Sequence, residues 1–199
     1  MSGSGRRSPA TRWRPTGGRS VLHRRELTYS VTAPAGAWGG LPDAYLRINC
    51  ALAAGLRLLG VDAEVASSAL GGAPRPGARA CFRDPLPGEV TAAGRKLVGS
   101  AQWRARGALL QHGSILIHND QAVVEELCLD GPTGEVPAAG LAELIERVPP
   151  ADEVATVLAG AFATELDLEL QAVNMSPEEL SAARSLRGRY LDERWTWRR

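Results

Sequence analysis

Cys81 and Lys96 are the two residues of this sequence whose types and spacing suggest covalent chemistry. A cysteine thiolate is a strong nucleophile, and a nearby ammonium favours the thiolate over the thiol. The pair therefore fits a nucleophile and the cation that activates it. The alternative is structural, because a free cysteine is commonly a small buried side chain and two residues fifteen positions apart need not meet.

The residues around Lys96 predict a strand that forms one wall of a site. Alternation along RKLVGSAQW places four side chains on one face: Lys96, Val98, Ser100 and Gln102. Gly99, between them, allows a ligand or another backbone to approach closely. The following GALLQHGSILI predicts a second strand, interrupted at His112 and Gly113.

Composition excludes several classes of function. The formal net charge of +1 argues against nonspecific nucleic-acid binding. Three dispersed cysteines and three dispersed histidines argue against disulfide and metal frameworks, so we expect no metal site. The sequence contains no P-loop motif for ATP and no apolar run long enough to span a membrane. The odd cysteine count and the absence of a secretory signal predict a cytoplasmic protein.

Hydrophobic periodicity predicts a mixture of helices and strands. Four helices are expected, at 42–59, 138–147, 152–166 and 176–192. The last should begin with a capping box formed by Ser176 and Glu179. Strands are expected at 20–23, 27–31, 61–68, around 94–117, at AVVEELCL and at LDLEL. Residues 1–12, rich in Gly, Ser and Arg, are expected to be disordered.

Two segments carry a resemblance to a known family. They are WRPTGGRSVLHRRELTYSV (13–31) and GRKLVGSAQWRARGALLQHGSIL (94–116), with Cys81 and Phe82 between them. Together they resemble the lipoate–protein ligase A / biotin ligase superfamily, and most closely its cysteine-dependent octanoyltransferases. The likeness covers most of 13–117 and rests on several motifs that recur in the family's order.

The resemblance implies an α+β fold in which a mainly antiparallel sheet is flanked by helices, as in biotin and lipoate ligases. One catalytic domain is expected over 13–199. Because the first motif starts close to Met1, this domain is expected to be shortened and to lack the family's N-terminal strands.

The implied activity is octanoyl transfer in lipoate biosynthesis. Octanoyl-acyl carrier protein would donate its acyl group to Cys81, and a lysine of a lipoyl domain or of the glycine-cleavage H protein would accept it, with no cofactor required. Lys96 would hold Cys81 as the thiolate. The family's substrate-binding positions correspond to Arg14, Gly17, Gly18, Arg19, His23, Gly99, Ser100, Ala101, Gln111, His112 and Gly113.

Three other activities remain open at this stage. An ATP-dependent lipoate ligase, using ATP and Mg²⁺, would need the same lysine and glycine turn but no cysteine. An amidotransferase that moves octanoyl between lipoyl domains would use the same thiol. An inactive relative would bind lipoyl domains without chemistry.

Overall fold

A computed structural model describes residues 19–67, 81–126 and 136–196. The predicted disordered segment 1–12 and the site residues Arg14, Gly17 and Gly18 lie outside these ranges. The described residues divide into two units, one within residues 18–170 and one that includes residues 171–196. The extent of a single catalytic domain over 13–199 stays a prediction.

The larger unit contains six strands and four helices in its described residues. The strands are β1 Glu26–Pro34, β2 Ala63–Val65, β3 Val90–Ala92, β4 Arg95–Lys96, β5 Val98–Ala105 and β6 Ala108–Leu116. The helices are α1 Leu41–Leu58, α2 Ala122–Glu126, α3 Leu141–Leu144 and α4 Ala151–Leu166. The described part of the second unit contains α5 Pro177–Leu191 and α6 Glu193–Thr196.

Two antiparallel three-stranded sheets organise the larger unit, with strand orders β1-β6-β5 and β2-β3-β4. Each sheet contains a hairpin with a two-residue loop. Both loop residues have positive φ, at Ala93 and Gly94 in one hairpin and at Arg106 and Gly107 in the other. Such loops match the right-handed twist of paired strands. The α+β fold expected from the sequence is therefore confirmed, with antiparallel sheets and flanking helices.

The predicted interruption of the second strand at His112 and Gly113 is wrong. β6 pairs without a break with β1 and with β5. Gly113 meets a different requirement, because a Cβ there would collide with the Gly99 carbonyl oxygen and the Tyr29 ring. Gly113 therefore leaves space for the Tyr29 side chain to cross β6, and the strand continues through this position.

Two further strand predictions are wrong. AVVEELCL begins as helix α2, because the Asn119 side chain accepts a hydrogen bond from the Gln121 N–H and starts a helical turn; residues 127–135 lie outside the described ranges. LDLEL is irregular from residue 168 onward, after Asp167 ends α4 in the left-handed conformation. Leu166 is buried as the last residue of α4, but Leu168 and Leu170 are exposed, so the alternation does not bury a common apolar face.

Three of the four helix predictions agree with the structure, and the fourth is partly correct. α1 ends before Gly60, which has φ +88°, and α5 begins with the Ser176–Glu179 capping box. Of the four α4 residues expected to face inward, Val154, Leu158 and Leu166 are buried, and Phe162 is partly buried against the same core. The helix predicted over 138–147 is shorter, spanning only α3. No helix among the residues the structure describes is both long and apolar enough for a membrane span.

Helices α1 and α4 pack closely at Gly55 of α1, a position without a side chain. A Cβ at Gly55 would lie 2.8 Å from the Leu158 side chain and 3.1 Å from the Ala161 Cβ. We therefore expect Gly55→Ala to lower the free energy of unfolding by about 1–3 kcal/mol, because overpacking outweighs the gain in helix propensity. Gly160→Ala in α4 is the matched control, since a Cβ there meets open space; urea unfolding should show it unchanged or stabilised. Equal stability of the two variants would contradict this packing.

Candidate active site

Lys96 lies at the centre of the candidate site, almost fully buried. Its ammonium has three N–H donors and meets three acceptors. Nζ lies 2.8 Å from the Cys81 carbonyl oxygen, 3.6 Å from the Cys81 Sγ and 2.6 Å from Glu89 Oε1. The predicted thiol and amine are therefore neighbours, and the lysine is fully hydrogen-bonded.

Glu89 is the residue that the sequence prediction missed. The Lys96 and Glu89 side chains are only 2% and 4% exposed, so their ion pair lies in a nearly dry environment. The other Glu89 carboxylate oxygen accepts a hydrogen bond from the Leu86 N–H at 2.8 Å. The only available signal was a lone acid seven positions before Lys96, one residue before the β3–β4 hairpin.

Cys81 is held by backbone on one side and by an aromatic ring on the other. Its N–H donates to the Ser20 carbonyl oxygen at 2.9 Å. Phe82 is fully buried, and its ring centroid lies 5.5 Å from Lys96 Nζ. A Cβ at Gly99 would lie 2.8 Å from the Phe82 ring and 3.4 Å from the Cys81 Sγ. Gly99 thus provides the space for both side chains, as a close-approach glycine was expected to do.

A second polar network occupies the face of the β1-β6-β5 sheet that packs on α1. The Tyr29 hydroxyl lies 2.6 Å from Ser100 Oγ and accepts from Gln111 Nε2 at 3.2 Å. Asn49 of α1 accepts from both Ser100 and Gln111 and donates to the Gly88 carbonyl oxygen. Burial raises the pKa of Tyr29 to about 12, so its hydroxyl stays neutral at physiological pH.

The predicted wall of Lys96, Val98, Ser100 and Gln102 is only partly correct. Lys96 belongs to β4 in one sheet, whereas Ser100 belongs to β5 in the other. Cys81 lies against Gly99, and the next residue, Ser100, points to the opposite face toward Tyr29. At Leu97 the chain passes from β4 in one sheet to β5 in the other. A prediction based on strict alternation of side chains does not anticipate such a change.

The remaining predicted residues lie at different distances from this centre. Ala101 and His112 are cross-strand partners on the face away from α1. Gly113 lies beneath Tyr29. Arg19 is half-buried just before Ser20, at the edge of the described chain. His23 is exposed and its Nδ1 lies 2.5 Å from Glu26. Burial raises the pKa of the Glu26 carboxyl group, but hydrogen bonds from His23 and Thr28 outweigh this effect. The pKa of Glu26 therefore lies below its ordinary value.

An open, mainly apolar cleft of about 620 Å³ lies beside the start of α1. Its lining includes Tyr45 and Leu46 of α1, Ala66, and the Pro87–Gly88 turn. Gly88 precedes Glu89, and a Cβ at Gly88 would lie 3.4 Å from the Tyr45 ring, so the cleft adjoins the turn that carries Glu89. Its size is typical of a small-molecule site.

Among residues 19–67, 81–126 and 136–196, no group of three or more His, Cys, Asp or Glu side chains could hold a metal ion. Independently of this, the described site contains a thiol, an ammonium and a carboxylate in contact, which are groups suited to acid–base and nucleophilic chemistry.

The family model for the lipoyl protein ligase A/B catalytic domain matches residues 10–163. Octanoyltransferase LipM of Kyrpidia tusciae is 39% identical over 201 residues, which cover 94% of this chain and 73% of that protein. A crystal structure of lipoate-protein ligase A bound with ATP matches with TM-score 0.74 at 25% identity, over 94% of this chain and 71% of that one. A bipartite lipoate protein ligase with its E2 lipoyl domain, from Thermoplasma acidophilum, has TM-score 0.70 at 24% identity, over 94% and 69%. The second of these structural matches supports the fold alone.

We expect Lys96→Met to slow alkylation of Cys81 by iodoacetamide at neutral pH about tenfold or more, because the thiolate loses its ammonium partner. A double variant that combines Lys96→Met with Glu89→Gln also removes the carboxylate that has lost its cation. Its Cys81 should be alkylated slowly too. Arg95→Met is the matched control, since the neighbouring Arg95 pairs with Glu143 at the surface. Peptide mass mapping separates Cys81 from Cys50, whose rate should not change. Alkylation of Cys81 at the original rate in both lysine variants would contradict the contact.

Proposed function

Because the chain belongs to the lipoyl protein ligase A/B catalytic domain family, we propose that it is an octanoyltransferase acting through a Cys81 thioester. The observation that carries the proposal is the Lys96 ammonium beside the Cys81 Sγ. The expectation of an acyltransferase of this family agrees with the name of its 39% identical relative.

The reaction has two acyl-transfer steps. In the first, the Cys81 sulfur attacks the thioester carbonyl of octanoyl-acyl carrier protein, and the carrier leaves as its thiol. In the second, the neutral amine of an acceptor lysine attacks the octanoyl-Cys81 thioester and forms an amide. Exchange between two thioesters is nearly balanced, and thioester to amide is downhill, so ATP is not needed.

Lys96 has two roles in these steps. Its charge stabilises the Cys81 thiolate once that thiolate forms, and its hydrogen bond to the Cys81 carbonyl oxygen fixes the backbone that carries the thiol. The buried Phe82 ring excludes water from the ammonium, which strengthens the interaction. A dry site also protects the thioester from hydrolysis.

The acceptor is proposed to be a lipoyl domain. The fold relative from Thermoplasma acidophilum is described together with its E2 lipoyl domain, and an amide to a lysine is the product that such a domain would carry. The glycine-cleavage H protein presents the same acceptor chemistry.

An ATP-dependent lipoate ligase is the second candidate, because a lipoate-protein ligase A shares the fold at TM-score 0.74. That activity would use Lys96 without Cys81. Its adenylate chemistry predicts a strict requirement for ATP and Mg²⁺.

Incubation with octanoyl-acyl carrier protein, without ATP, should add the mass of one octanoyl group to the protein. Cys81→Ala should show no adduct, and Cys50→Ala, the matched control in α1, should behave as the unchanged protein. Transfer to a lipoyl domain should follow only where the adduct forms. Retention of ligase activity by Cys81→Ala with ATP and lipoate, and no adduct on the unchanged protein, would establish the ligase instead.

The cleft beside α1 is proposed to hold the acyl chain. Leu46→Trp, in the cleft lining, should raise the KM for the octanoyl donor about tenfold and shift preference to shorter chains, since each buried methylene stabilises binding by roughly 0.8 kcal/mol. Leu58→Trp is the matched control at the exposed far end of the same helix. Equal chain-length profiles for the two variants would place the acyl chain elsewhere.

A further inference from the structure

Two acidic groups share the single Lys96 ammonium. The Glu89 carboxylate lies 2.6 Å from Nζ and the Cys81 thiol sulfur lies 3.6 Å from it. All three groups lie in one contact cluster, in which Lys96 and Glu89 are almost fully buried. A buried cluster of this kind is most stable when its charges sum to zero.

Neutrality therefore permits only one anion at a time. With Glu89 ionised, Lys96 is balanced and Cys81 is favoured as the thiol. With Cys81 as the thiolate, Lys96 is balanced only if Glu89 takes up a proton. A proton that moves from Cys81 to Glu89 past their common partner Lys96 would leave the net charge of the cluster unchanged.

We propose that Glu89 is the proton acceptor for Cys81, acting through Lys96 as a relay. This inference rests on the proposed octanoyl transfer and assigns to that reaction a group whose carboxylate touches Lys96 and not the substrate. Glu89 is accordingly a positioning residue for charge, and Lys96 is the group that contacts the reacting sulfur.

The proton movements balance at each step. Nζ gives one proton to Glu89 Oε1 and takes one from the Cys81 sulfur, which leaves a thiolate, an ammonium and a carboxylic acid. The thiolate forms the C–S bond to the octanoyl carbonyl carbon as the C–S bond to the donor breaks. The donor sulfur then receives the stored proton from Glu89 through Lys96.

The second half-reaction uses the same path. The attacking amine forms the C–N bond and loses one proton to Glu89 through Lys96. The C–S bond to Cys81 breaks, and the departing thiolate recovers that proton. The site returns to a thiol, an ammonium and a carboxylate, with no net proton exchange when the acceptor amine arrives neutral.

The charged and titratable groups around the cluster are compatible with this role. Burial and the Glu89 charge raise the pKa of Tyr45 of α1, and burial raises that of Tyr29 of β1 to about 12. Both phenols therefore stay neutral across the working pH range. Arg83 and Asp84 follow Phe82 on the loop that carries Cys81, and Arg95 of β4 pairs with Glu143.

Glu89→Gln tests the relay because the amide keeps the shape and the hydrogen bond to Lys96 but cannot store the proton. Glu143→Gln is the matched control, since it removes a carboxylate from the ion pair of the adjacent Arg95 at the surface. Two measurements are made on each folded full-length protein. They are the pH dependence of Cys81 alkylation by iodoacetamide and the rate of octanoyl transfer from octanoyl-acyl carrier protein to a lipoyl domain.

In Glu89→Gln, the midpoint of the alkylation profile should fall by about one pH unit or more, because Cys81 becomes the only anion available to Lys96. Octanoyl transfer should fall about 100-fold, the usual effect of losing a general acid–base group. Glu143→Gln should match the unchanged protein in both measurements. If Glu89→Gln does not fold, Glu89→Asp, which keeps the acid, should fold and keep the original midpoint with slower transfer.

An unchanged midpoint, or unchanged transfer, in folded Glu89→Gln would overturn the relay. An upward shift would also overturn it, because Lys96 would then have lost its proton and Glu89 would be only its counter-ion. The proposed function fails separately, if the unchanged protein takes up no octanoyl group from the donor.

Discussion

The rest of the structure depends on one desolvated ammonium. Lys96 is almost completely buried. A buried positive charge is tolerated only when every N–H has a hydrogen-bond acceptor and an anion lies close by. Three separate segments meet this demand. The β3–β4 hairpin sets the lysine, the turn at 86–89 sets the carboxylate, and the loop at Cys81 supplies both a carbonyl oxygen and a thiol. The same requirement that stabilises the fold therefore assembles the reacting groups.

Two glycines make this arrangement possible, because the absence of their side chains leaves space for neighbouring aromatic rings. Gly99 leaves room for Phe82, which shields the ammonium from solvent, and Gly113 leaves room for Tyr29 to reach Ser100 across β6. On the α1 side, Asn49 connects that network to the Gly88 carbonyl oxygen, one residue from Glu89. The helix, the sheet and the turn that carries Glu89 are thus joined by hydrogen bonds among buried and partly buried groups, and such polar networks specify a single arrangement.

The sequence predicted what depends on local pattern and missed what depends on distant contacts. The helix over 42–59 and the capping box at Ser176 follow from periodicity and short-range hydrogen bonding, and both are present. The contact of Cys81 with Lys96 was predicted only because several family motifs occurred together. Glu89 was missed because a lone acid in a loop has no periodic signature, and its role arises from burial. LDLEL alternates as a strand would, but its first leucine ends α4 and the other two stay exposed, so the pattern alone was misleading.

The electrostatics of the covalent stage explain why a cysteine suits this position. In the proposed reaction, acylation would convert the Cys81 sulfur into a neutral thioester, and the acyl-enzyme would then contain Lys96 and Glu89 as a complete ion pair with no unmatched charge. A hydroxyl nucleophile at this position would be far less acidic than a thiol and would lose its proton less readily. A buried lysine without Glu89 would be balanced only while the thiolate exists, and the acyl-enzyme would then contain an isolated cation, which is costly. In the proposed reaction, the Glu89 carboxylate would therefore keep each stage electrically neutral, which a site of Cys81 and Lys96 alone could not do.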